Sequence, residues 1–109
     1  MNKIAIVGSN GFLGTNLYYY LDSYKNVIRI SRRNGDIKLN SYSINNLTKT
    51  IEKYKLTHII NCVGFTDINN ANKNIDECFQ ANVFFVKLLV NAIKNSKTNT
   101  RLIHMGKLI

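Results

Sequence analysis

The most constraining stretch of this chain is its start, where the apolar run Lys3-Ile4-Ala5-Ile6-Val7 stops at Gly8 and is followed by Gly11 and Gly14. A short, unbroken apolar run that ends in glycine reads as a parallel strand buried on both faces. Phe12, Leu13, Leu17 and Leu21 then recur at helical spacing, which predicts an amphipathic helix over residues 12–22. The loop Gly8-Ser9-Asn10-Gly11-Phe12-Leu13-Gly14 therefore falls where a strand becomes a helix. In that setting each glycine has a separate duty. Gly8 allows the tight turn out of the strand, Gly11 lets a pyrophosphate come close to the backbone, and Gly14 lets the helix pack near the strand. The amides around Phe12 and Leu13 would face the phosphates with the positive end of the helix dipole. The alternative is a turn with no ligand.

The rest of the chain repeats the same alternation. Asn26-Val27-Ile28-Arg29-Ile30 reads as a second, β-branched strand. A polar stretch from Ser31 to Ser43 follows, with turn chemistry at Asn34-Gly35 and Asn40-Ser41. Ile44, Leu47, Ile51 and Tyr54 mark a second helix. His58 to Val63 is a third buried strand, ended by Gly64, and residues 66–74 are polar loop or a short helical turn. Ile75, Phe79, Asn82, Val83, Val86, Leu89, Val90 and Ile93 give the longest helix, before a fourth strand at Arg101-Leu102-Ile103-His104-Met105. Strands that alternate with helices need crossover connections. The expected fold is α/β: a three-layer, Rossmann-type doubly wound parallel sheet of strand order 3-2-1-4, truncated after the fourth strand. All 109 residues then form one incomplete NAD(P)-binding domain. Its ligand crevice would lie between the first and fourth strands, beyond their carboxyl ends.

The formal charge of +9 fits either a phosphate-binding surface or the lysine and asparagine abundance of an AT-rich genome. No basic run exceeds Arg32-Arg33, and no helix-turn-helix or RNP pattern occurs, so nucleic acid is not an expected partner. Cys62 and Cys78 each sit in an apolar run and form no CxxC pair, as buried thiols of a reduced compartment do. No signal peptide or membrane span is apparent, and a cytoplasmic location is expected. His58 and His104 have no acidic cluster beside them, so no metal is expected.

Cofactor choice turns on the end of the second strand. An acid there would bond the ribose 2′-hydroxyl and select NAD. Ser31-Arg32-Arg33 stands in that place instead. Arginines can pair with a 2′-phosphate through forked, charged hydrogen bonds, which favours NADP. NAD stays open, because the arginines could be a solvated turn and Asp36 a displaced acid.

The GxxGxxG spacing with its Gly11-Phe12-Leu13-Gly14 ending resembles the extended short-chain dehydrogenase/reductase family of nucleotide-sugar epimerases, dehydratases and reductases. His58 to Gly64 looks like the family strand whose end, at Val63 and Gly64, passes beside the cofactor. Phe65-Thr66-Asp67-Ile68-Asn69-Asn70-Ala71-Asn72 resembles the Tyr-Thr-Asp-Val-Asp-x-Ala-Glu segment of the dTDP-4-dehydrorhamnose reductase branch, with Asn72 in place of the acid. Ala81-Asn82-Val83 matches the helix asparagine that supports the site in many members. The resemblance also implies that Asn40 and Ser41 replace an Asp-hydrophobic pair that meets the adenine edge, although a simple turn explains Asn40 equally well.

The family's catalytic groups do not appear. Its Tyr-x-x-x-Lys pair uses lysine to lower the tyrosine pKa, and none of the six tyrosines has a lysine four residues on. The Ser/Thr pair after the fourth strand falls at Gly106-Lys107. The resemblance thus implies the dinucleotide-binding portion of a nucleotide-sugar reductase or epimerase, catalytically incompetent alone, whose full-length relatives take a nucleotide-sugar. The alternative is a non-catalytic NADP-binding module, or a subunit completed by a homo-oligomeric or partner chain at the bare edge of the fourth strand.

Overall fold

The computed structural model describes residues 2–24, 26–63 and 75–105. Along the chain run β1 (Ile4–Val7), α1 (Phe12–Leu21), a 3-10 turn (Asp22–Tyr24), β2 (Val27–Ser31), β3 (Ile37–Lys38), α2 (Ile44–Tyr54), β4 (His58–Asn61), α3 (Ile75–Ser96) and β5 (Arg101–His104). The five strands form one parallel sheet in the order β3-β2-β1-β4-β5.

The 3-2-1-4 order of a doubly wound sheet is present and continues to a fifth strand, but its members differ from the sequence reading. The third place belongs to the two-residue β3, which lies inside the stretch read as polar loop and pairs Ile37 with Ile30. His58–Asn61 is accordingly the fourth strand and lies directly beside β1, with Ile4 opposite His58 and Val7 opposite Asn61. Arg101–His104 becomes the fifth strand, paired on one side with β4.

Alternation along the strands assigns the two faces. Ala5, Val7, Ile30 and Ile59 point into a core with Leu47 and Ile51 of α2 and Phe85, Leu89 and Ala92 of α3. Ile6, Arg29, Ile60 and Ile103 share the opposite row. α1 covers that side at β2, where the Arg29 guanidinium lies 4.4 Å from the centre of the Tyr18 ring. The layers are α1, sheet, and α2 with α3.

The helices differ in how they are anchored. α2 begins with a capping box in which the Ser43 hydroxyl accepts from the Asn46 amide and the Asn46 side chain accepts from the Ser43 amide, each at 3.0 Å. It ends with Lys55 in the left-handed conformation at φ 52°. Of α1, only Gly14 is buried. Phe12 and Leu13, expected on the inner stripe, are 88% and 41% exposed. The reason is the close seat of the helix: a Cβ on Gly14 would stand 2.5 Å from the Gly8 carbonyl oxygen. Backbone contact there replaces side-chain packing. Among the described residues no helix is long and apolar enough to cross a membrane.

Candidate functional site

A cleft of about 330 Å³ opens at the carboxyl ends of β1, β2 and β4. Its floor is set by Gly8, which adopts φ +81°; a Cβ there would lie 2.8 Å from both the Val63 amide nitrogen and its Cγ2. Glycine is therefore required twice over, for the left-handed turn and for the approach of the chain leaving β4. The turn is tied to β2 through the Gly8 and Ser9 amides, which donate to the Ile30 carbonyl at 2.9 and 3.3 Å. Gly11 is the N-cap of α1 and supplies no side-chain cap. The first-turn amides of α1 thus lack intrahelical partners beside the cleft. A Cβ on Gly11 would meet nothing nearer than the Gly8 carbonyl oxygen at 3.6 Å, so the fold itself does not require glycine there.

Of the residues singled out from the sequence, Gly8, Asn10, Gly11, Ser31, Arg32, Arg33 and Val63 line this one cleft. Ser9 is buried beneath the turn and lines a neighbouring depression. Phe12 and Leu13 stand exposed on the first turn of α1, and Gly14 sits under the loop. The side chains of Asn40 and Ser41 are exposed and do not contribute to the cleft wall. The Ser41 carbonyl instead accepts from the Asn46 side chain at 2.7 Å, which completes the entry to α2. Asn82 lies in α3, half-buried, one turn before Phe85. Gly64, the segment 65–72 and Gly106-Lys107 lie outside the described residues.

Two cleft residues carry no signal in the sequence pattern. Tyr42, in the segment between β3 and α2, lines the cleft with its ring centroid 5.0 Å from that of Phe85. Burial pushes its phenol above the usual tyrosine range, although Arg32 acts in the opposite sense. Cys62 also lines the cleft. Where the apolar run around it predicts a buried thiol, Cys62 is half-buried, because the chain leaves the sheet after Asn61; that burial raises its pKa.

Arg29 is engaged away from the cleft. It bonds Asp36 through its backbone amide at 2.8 Å and its guanidinium at 3.2 Å, and Asp36 is thereby held below the ordinary carboxylate range. Asp36 is thus committed to Arg29, and the two arginines nearest the cleft are Arg32 and Arg33. At the far side of the cleft, Asn61 is fully buried. Its Oδ1 accepts from the Val63 amide at 3.0 Å, and its Nδ2 lies 2.9 Å from Nδ1 of His104 on β5. No group of three potential metal ligands occurs among the described residues.

The fold is shared with solved structures about three times as long. UDP-glucose 4-epimerase from Stenotrophomonas maltophila, with bound NAD and formylated UDP-arabinopyranose, superposes with a TM-score of 0.78 at 11% identity, over 95% of this chain and 36% of the epimerase. L-threonine dehydrogenase from Clostridium difficile gives 0.76 at 21% identity, over 95% and 36%. dTDP-4-dehydrorhamnose reductase from Bacillus anthracis, in complex with NADP, gives 0.73 at 19% identity, over 94% and 35%. The chain thus spans roughly a third of the length of each. No curated protein sequence matches it. The RmlD substrate binding domain model matches residues 1–106, nearly the whole sequence, and the chain belongs to that family.

Proposed function

We propose that this chain is the NAD(P)-holding portion of a nucleotide-sugar reductase or epimerase, with NADP as the favoured dinucleotide, and that it is catalytically incompetent alone. The observation that carries the reading is the convergence of an uncapped helix start, the Gly8 and Gly11 turn and Arg32-Arg33 on one cleft. Gly8, Gly11 and the first-turn amides of α1 would hold the pyrophosphate. Arg32 and Arg33 would pair with a ribose 2′-phosphate, while Val63 would bound the cleft on the β4 side. When bound, the nicotinamide supplies hydride chemistry. Support for a nicotinamide dinucleotide comes from relatives of the same fold, one solved with NAD and one with NADP. The incompetence rests on the sequence, in which no tyrosine is followed by lysine at the fourth position.

Calorimetric titration of the chain with NADPH and then NADH tests this. NADPH should bind roughly tenfold or more tightly, the scale of a charged hydrogen bond. Replacing Arg32 and Arg33 by alanine together should remove the preference. Absence of binding by either nucleotide would overturn the cradle, and reduction of a keto-sugar nucleotide by the chain alone would overturn the incompetence.

A second reading has its own observation. Among the described residues β5 pairs with β4 alone, and Ile103 and Met105 at that edge are 43% and 39% exposed. An open parallel edge with apolar neighbours suits a subunit completed by another chain, either a second copy or a partner. Sedimentation of the purified chain separates the two readings, since a stable monomer is not expected of the second.

A further inference from the structure

We propose that Tyr42 is the base platform of the cleft: its ring receives the planar adenine of the dinucleotide. The inference rests on the dinucleotide reading above and adds the residue that recognises the base. The glycine turn places a pyrophosphate at the start of α1, and Arg32 and Arg33 draw the phosphorylated ribose to the β2 side. The base must then lie further along that side. Tyr42 comes from the segment between β3 and α2 and is the one aromatic side chain lining the cleft among the described residues.

The ring is prepared for this. Phe85, itself only 8% exposed, packs against it at 5.0 Å with a 58° tilt, which fixes its orientation before any ligand arrives. Burial favours the neutral phenol, so the surface offered is flat and uncharged. Asn40 and Ser41, the residues expected at the base edge, contribute no side chain to the cleft wall. Recognition would therefore read the face of the base, not its hydrogen-bonding edge. Stacking on an aromatic ring needs no hydroxyl and tolerates different bases.

Titration of three variants with NADPH and with inorganic pyrophosphate tests the platform. Tyr42→Ala should weaken NADPH roughly ten- to hundredfold, the range of base–aromatic stacking. Inorganic pyrophosphate, which has no base, should bind that variant as it binds the parent. Tyr42→Phe should keep NADPH affinity within about twofold, because the ring suffices. Tyr42→Leu fills similar space without a π-face; it guards against a misfolded alanine variant and should behave like it. Nuclear Overhauser contacts between the Tyr42 ring and adenine H2 or H8 would place the base directly. Full NADPH affinity in Tyr42→Leu, or an equal loss of pyrophosphate affinity in Tyr42→Ala, would overturn the platform. Failure of the parent chain to bind NADPH at all would instead sink the dinucleotide reading and Tyr42's role with it.

Discussion

α1 and α2 are nearly the same length, at 10 and 11 residues, and are built on opposite plans. α2 satisfies its own start with Ser43 and Asn46 and buries Leu47, Thr48, Thr50 and Ile51. α1 has no side-chain cap, buries only Gly14 and leaves Tyr19 and Tyr20 75% and 82% exposed. A helix that closes its own hydrogen bonds and fills a core contributes stability. A helix that leaves its first amides unanswered and sits on backbone contributes a surface for something else. On the proposed reading, α2 holds the fold together and α1 meets the dinucleotide.

The sharpest way to break this contrast is truncation on each helix. Ile51→Ala should cost about 2–5 kcal/mol, the usual range for a buried branched side chain, since Ile51 is 1% exposed. Tyr20→Ala should stay within about 0.5 kcal/mol. Urea unfolding of both variants measures the difference, and equal losses would erase the distinction.

Within α1 the two glycines should separate. Gly14→Ala forces a methyl to 2.5 Å from the Gly8 carbonyl oxygen and 2.9 Å from Ser9 Cα, and should destabilise by about 1–3 kcal/mol as overpacking does. Gly11→Ala has room in the protein and should leave the urea midpoint almost unchanged while weakening NADPH, because its methyl would occupy the space of the phosphate. A folded Gly11→Ala variant with unaltered NADPH affinity would remove Gly11 from the cradle.

Removal of the α2 cap by Ser43→Ala should cost about 1 kcal/mol, an effect with no counterpart at α1. The smallest effect is electrostatic and lies on the α1 side. The hydrogen bond from Arg29 lowers the Asp36 pKa in the folded chain. Its contribution is therefore complete above the unfolded carboxylate value near pH ~4 and is lost as pH falls through the lower folded value. Both side chains are roughly two-fifths exposed, at 40% and 43%, so the amount should be about 0.5 kcal/mol or less. Asp36→Asn should abolish this part of the pH dependence of the urea midpoint.

Much of this division was written in local sequence. Glycine spacing after an apolar run marked the turn, and the Ile44, Leu47, Ile51 and Tyr54 repeat marked α2 in its correct place. β3 escapes because two residues, Ile37 and Lys38, are too few to show a period, and without it the 3-2-1-4 order puts His58–Asn61 beyond β2, on the opposite side of β1 from where it pairs. The inner stripe of α1 was misjudged because apolar spacing reports packing by side chains, whereas this helix approaches through Gly14. Tyr42 was invisible for another reason. A single aromatic in a polar segment acquires meaning only when Phe85, far along the chain, comes to rest against it.

The link from Val63 through Asn61 to His104 fixes more than position. The Val63 amide can only donate, so the Asn61 oxygen must face it and the Asn61 nitrogen must face the imidazole. That nitrogen brings hydrogens of its own, and Nδ1 of His104 is left to accept one. A single main-chain amide at the wall of the cleft thereby chooses the tautomer of a ring on the neighbouring strand: the neutral imidazole carries its proton on Nε2 and presents there a donor.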